Sequence, residues 1–187
     1  METRRIPIGI SDYKEVIDEG FYYVDKTDFI RELLENGSKI TLLPRPRRFG
    51  KTLNLSMLRY FFEKTDGNVF RPLFDGKRIR EWKDFDKHQG QYPVIMLTLK
   101  DCKADTFDKA LELVASELQK EFFRHKYLLD SPVMDSTYRP IFQSLLEGNP
   151  GEVRMQRSLL LLSELLTAHW GMPPLVLLDE YDTPIHV

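Results

Sequence analysis

The chain has 187 residues, 42% hydrophobic and 30% charged, which allows one domain with a real core and excludes a disordered or fibrous protein. A net charge of −2 and a pI near 6.1 argue against a generally basic surface for nucleic acid and leave room for a local patch. One cysteine, Cys102, excludes an internal disulfide and suits a reducing cytoplasm, and no apolar run has the form of a signal peptide or a bilayer span.

In chain order, "VDKTDFIRELLENGS" predicts a helix with Asp25 or Thr27 at its N-cap and Phe29, Ile30, Leu33 and Leu34 as its apolar residues. Gly37 stops it. Residues 1–38 thus read as a lead-in to a core over 39–187. "KITLL" predicts a short buried strand closed by Pro44, and Lys51 to Lys64 a helix carrying Leu53, Met57, Leu58, Phe61 and Phe62. The turn-rich, charged stretch 65–93 reads as a long surface connection with one short helix.

Pro93 to Leu99 predicts a second strand. A long helix follows, capped by Asp105 or Thr106, with Phe107, Leu111, Val114, Leu118 and Phe122 on one face. Two more helices are expected over Tyr138–Leu146, ending at Gly148, and Glu152–Trp170, stopped by Gly171 and Pro173. "PLVLLDEYDTPIHV" then gives a strand with Asp179 and Glu180 at its carboxyl end. Strands separated by helices imply an α/β fold with a parallel sheet flanked by helices. Three strands are few for such a sheet, so the chain reads as part of a longer protein, cut after its last strand.

Gly50-Lys51-Thr52 falls where a strand hands over to a helix, the setting of a phosphate loop. In that loop, backbone N–H groups curl round anionic oxygens at a helix N-terminus. Gly50 allows close approach, Lys51 reaches the β- and γ-phosphates, and the Thr52 hydroxyl sits on Mg²⁺. The first glycine of G-x-x-x-x-G-K-[ST] should occupy position 45, where this chain has Arg45. Pro46 removes one N–H donor, while Arg45, Arg47 and Arg48 offer guanidinium groups in compensation, and Phe49 completes the loop. Taken alone, Gly-Lys-Thr reads better as a solvated basic turn; its setting favours phosphate.

The strand ending in Asp179 and Glu180 adds a second motif. An Asp there holds Mg²⁺ beside the loop's Thr, and the Glu accepts a proton from the attacking water. Each motif is weak alone. Both in this order read as a P-loop ATPase binding ATP and Mg²⁺, and the lack of an N-K-x-D motif favours ATP over GTP.

These residues also carry a family likeness. "RPRRFGKT", "LLDEYDTPI" and "YYVDKT" resemble the AAA-ATPase-like family, P-loop NTPases often fused to a PD-(D/E)XK nuclease-like domain. The resemblance runs from about Ile8 to His186 and implies that Arg45 belongs to a family variant of the Walker A loop. It assigns Lys51 and Thr52 to phosphate and Mg²⁺, Asp179 to the metal, and Glu180 to water activation. Tyr181 and Asp182 match without an assigned role, and Asp25-Lys26-Thr27 matches too, with capping the first helix at least as good a reading as touching nucleotide. Further strands, a sensor residue and the nuclease-like part are not found. The arginine finger is open between Arg47 or Arg48 in cis and a neighbouring subunit. Turnover is therefore less secure than binding, and a nucleotide-operated switch without hydrolysis is the alternative. Nucleic-acid binding is not supported by this segment.

Weaker signals read as structural. Asp101-Cys102-Lys103 fits half of a nuclease metal motif but lacks a second acid on an adjacent strand. His88, His125, His169 and His186 show no metal-ligand spacing. Phe61-Phe62 and Phe122-Phe123 are expected in the core, and Trp170 in packing.

Overall fold

The computed structural model describes residues 5–44, 49–148 and 151–183. They fall into two compact units, residues 1–92 and 93–187, each treated by itself.

The first unit opens with a helix too short to show a sequence period, α1 (Tyr13–Asp18). Asp12 caps it by accepting the Glu15 N–H at 3.0 Å. The other Asp12 oxygen accepts the Tyr60 hydroxyl at 2.9 Å and the Ser56 hydroxyl at 3.3 Å, and Ser56 Oγ accepts the Tyr13 N–H. One carboxylate therefore starts α1 and pins it to α3 (Lys51–Phe62). Between them lies α2 (Asp28–Asn36), ended as expected by Gly37 in the left-handed conformation.

The stretch read as a surface connection supplies much of this unit's core. It forms three 3₁₀ turns, Asp66–Asn68, Arg71–Phe74 and Arg78–Glu81, then α4 (Phe85–His88). Leu73, Phe74, Ile79 and Phe85 are all buried. Phe61 meets Phe74 and Phe85 edge-on, with ring centres 5.2 and 5.6 Å away, and Tyr13 stacks on Phe74. Each such ring contributes on the order of 2–3 kcal/mol of burial. Elements of three or four residues bury two side chains at most, so no periodic signal betrays them.

Residues 39–44 hold no strand, contrary to the reading of "KITLL". Ile40 is 89% exposed and Leu42 63% exposed. A strand is stable only through ladder bonds and a covered face, and among the described residues this run has neither.

The second unit holds the sheet. β1 (Val94–Thr98) and β2 (Leu175–Asp179) pair in parallel, Val94 opposite Leu175 and Thr98 opposite Asp179. A parallel pair needs a long crossover, here α5 (Phe107–Arg124), α6 (Tyr138–Leu146) and α7 (Glu152–Trp170). Thr106 caps α5, accepting the Lys109 N–H, and Gly171 ends α7 with φ 75°. Ile95, Phe122, Leu128, Phe142, Leu145, Leu162, Leu165 and Leu166 form the core. Phe107 and Phe123, expected inside, are 72% and 65% exposed; an apolar residue at a helix start or off the buried stripe stays at the surface, where the Lys126 ammonium lies over the Phe123 ring.

Helix α5 also closes one side of the sheet. Leu175 N–H donates to the Pro93 carbonyl and Leu99 N–H to the Asp179 carbonyl, so Val94 and Met96 turn their backbone groups away from β2. Glu121 Oε1 accepts the Met96 N–H at 2.9 Å, and Arg124 and His125 donate to the Val94 carbonyl. Side chains thus replace a neighbouring strand.

Candidate nucleotide site

At the start of α3, Gly50 adopts φ 73° and ψ 26°, a conformation that costs glycine nothing and other residues something. Its carbonyl accepts the Asn54 N–H at 3.0 Å, the first bond of the helix. Lys51 and Thr52 are therefore the first two helical residues, where backbone N–H groups have no partner within the helix. With the helix dipole, this end suits an anion. Lys51 and Thr52 are half-buried and Phe49 is 63% exposed. Arg45, Pro46, Arg47 and Arg48 lie outside the described residues.

In the second unit, Asp179 is the last residue of β2, 2% exposed, its carbonyl bonded to the Leu99 N–H. Glu180 follows with φ 48°, in the left-handed region although it is not glycine. Such a residue carries about 1–3 kcal/mol of strain, a feature that concentrates at functional sites. Thr183 N–H closes the turn on the Glu180 carbonyl at 3.0 Å, and the Thr183 hydroxyl reaches Glu180 Oε2 at 3.5 Å. Neither the strained backbone nor the Thr183 contact leaves a trace in residue spacing. The structure thus places Lys51 beside Thr52 on α3, and Asp179 beside Glu180 at the end of β2; the two pairs belong to different units.

Asp25-Lys26-Thr27 is committed to the fold. Thr27 is fully buried, and Asp25 accepts its N–H at 2.9 Å and its hydroxyl at 2.7 Å. Asp25 also accepts the Arg78 N–H at 2.8 Å, while Thr27 Oγ1 accepts the Ile79 N–H at 3.2 Å. The motif therefore latches the entry to α2 onto the turn at 78–81 and makes no side-chain cap. Replacing Thr27 with Val strands the Ile79 N–H, and a loss of about 1–3 kcal/mol is expected in urea denaturation. Burial pushes the Asp25 carboxyl up, but the Arg78 and Thr27 hydrogen bonds and nearby Lys77 outweigh it and hold the acid below its usual range. A depressed acid stabilises the fold above its unfolded value and loses that contribution as pH falls through the folded one. Acid denaturation of the Asp25→Asn variant should therefore show a weaker pH dependence below about pH 4 than the parent.

Three of the four histidines hydrogen-bond within the fold. His88 Nδ1 bonds the Tyr92 hydroxyl, and His169 Nδ1 bonds Ser131 Oγ, each at 2.6 Å; buried His125 bonds Val94. His186 lies outside the described residues. Cys102 is buried, and burial, then Glu117 and Asp101, push its thiol up, away from reactivity. Among the described residues no group of three His, Cys, Asp or Glu is placed to hold a metal.

A family model described as Predicted AAA-ATPase matches residues 7–187. The chain belongs to this family. Membership makes this AAA-ATPase-like chain a nucleotide-binding module of the P-loop class, in keeping with its parallel strands and flanking helices. An uncharacterized protein in the vnfD 5' region of Azotobacter chroococcum mcd 1 is 36% identical over 99 residues. The match covers 52% of this AAA-ATPase-like chain and 17% of that protein's length, so the chain spans a small share of the curated relative. No solved structure matches it. No described helix is long and apolar enough to cross a membrane.

Proposed function

We propose that this AAA-ATPase-like chain binds ATP with Mg²⁺ and hydrolyses it, coupling turnover to a change of shape within a longer, cytoplasmic protein that carries a nuclease-like domain. The observation that carries the reading is the left-handed Gly50 delivering Lys51 and Thr52 to the first turn of α3, whose N–H groups and dipole suit a phosphate. Lys51 would neutralise the β- and γ-oxygens. Thr52 and Asp179 offer the hard oxygen donors that suit Mg²⁺, and Asp179 is a buried acid at a strand's carboxyl end. When bound, the ion draws off charge developing on the phosphate oxygens.

Glu180 would accept a proton from water as its oxygen attacks the γ-phosphorus. The bond from that phosphorus to the β–γ bridging oxygen breaks, and ADP leaves. Titration with ATP beside a phosphate-release assay tests both halves of the reading. Lys51→Ala should weaken ATP binding by about tenfold or more, some 1.4 kcal/mol. Unchanged affinity would remove Lys51, and the phosphate-loop reading with it. Binding without any release of phosphate would favour a nucleotide-operated switch.

A further inference from the structure

Among the described residues, Thr183 is the one group that hydrogen-bonds the Glu180 carboxylate. Three facts meet at this turn. The end of β2 is anchored, Asp179 carbonyl to Leu99 N–H at 2.9 Å. The left-handed backbone at Glu180 then aims its side chain in a direction that an extended residue would not take. Finally, the Thr183 N–H and hydroxyl return to the carbonyl and the carboxylate of that same residue, at 3.0 and 3.5 Å. A glutamate side chain has three rotatable bonds, and a base that must meet one water gains rate from being held. Hydrogen bonds of this kind are long before substrate arrives and shorten in the reacting complex.

We propose that Thr183 is a positioning residue for Glu180, fixing the carboxylate that takes the proton from the attacking water. This rests on the ATPase reading above. A hydroxyl that merely finishes the turn would affect melting and leave turnover alone; a positioning hydroxyl affects kcat and leaves nucleotide binding alone.

The test uses the full chain as wild type, Thr183→Val, Thr183→Ser, Glu180→Gln and the double variant Glu180→Gln/Thr183→Val. Each is measured for ATP affinity, kcat, KM and melting midpoint. Thr183→Val should lower kcat roughly ten- to hundredfold, with KM and ATP affinity unchanged. Thr183→Ser, which keeps the hydroxyl, should restore most of the rate, and Thr183→Val should cost nothing further once Glu180 is Gln. If Thr183→Val melts below the assay temperature, Thr183→Ala assayed in the cold carries the same comparison. A Thr183→Val rate within twofold of wild type, with Glu180→Gln inactive, overturns the role of Thr183 and spares the ATPase reading. A wild type that neither binds nor hydrolyses ATP overturns both.

Discussion

Under the proposed ATPase reading, replacing Glu180 with Gln should leave ATP bound and lower phosphate release by about 10²–10⁴-fold, the usual contribution of a positioned general base. Gln keeps the length and shape of the side chain and can still accept the Thr183 hydroxyl, so the turn at 180–183 is retained. What it loses is a carboxylate able to take a proton. Affinity should hold because the proposal puts phosphate binding at the start of α3, at Lys51 and Thr52, far from Glu180 in the sequence. Steady-state phosphate release and equilibrium ATP titration on the same preparations check the two halves. Release at the wild-type rate would strip Glu180 of the role; loss of binding together with release would mean that the substitution disturbs more than proton transfer.

The second large effect concerns stability. Glu121, 4% exposed, binds the Met96 N–H, Arg124 and His125 through one carboxylate. Removing it in Glu121→Ala takes the carboxylate from half-buried Arg124 and leaves the Met96 N–H short of an acceptor. Breaking a fully buried ion pair from one side costs about 3–5 kcal/mol, and the partial exposure of Arg124 puts the expected loss at the lower end of that range. Glu121→Gln keeps an acceptor for Met96 and gives up only the charge, so a smaller loss, about 1.5–3 kcal/mol, is expected. Denaturation midpoints rank the two, and amide exchange at Met96 should quicken in the alanine variant more than at the buried Leu97. An alanine variant within 1 kcal/mol of wild type would show that packing on Ile95 and Phe122 alone holds β1 in place.

Much of the second unit was legible because its signals are local. Thr106 caps α5, Gly171 stops α7, and the apolar run before Asp179 could only be a strand or a buried helix, too short for the latter. The first unit hid more. α1 has six residues, and the 3₁₀ turns that bury Leu73, Phe74 and Ile79 are set by packing partners distant in the chain. "KITLL" has the composition of a strand, but pairing is a property of two segments, and composition speaks for one. Near the site, spacing located Gly50 at a helix start and Asp179 at a strand end. It could not foresee the positive φ of Glu180 or the return of Thr183, because both are settled by how one turn closes. Likewise, the sequence left Asp25 and Thr27 open between cap and ligand; only the bonds to Arg78 and Ile79 decide for a latch.

The side-chain plug that α5 places against Val94 and Met96 gives this sheet a one-way grain. The outward Val94 carbonyl and Met96 N–H of β1 are already bonded, whereas the backbone groups of Val176 and Leu178 point away from β1 on the opposite flank. Widening the layer is therefore directional: among the described residues no hydrogen bond holds Val176 or Leu178 on the far flank of β2, but on the other flank a newcomer strand would first have to evict a carboxylate, a guanidinium and an imidazole together.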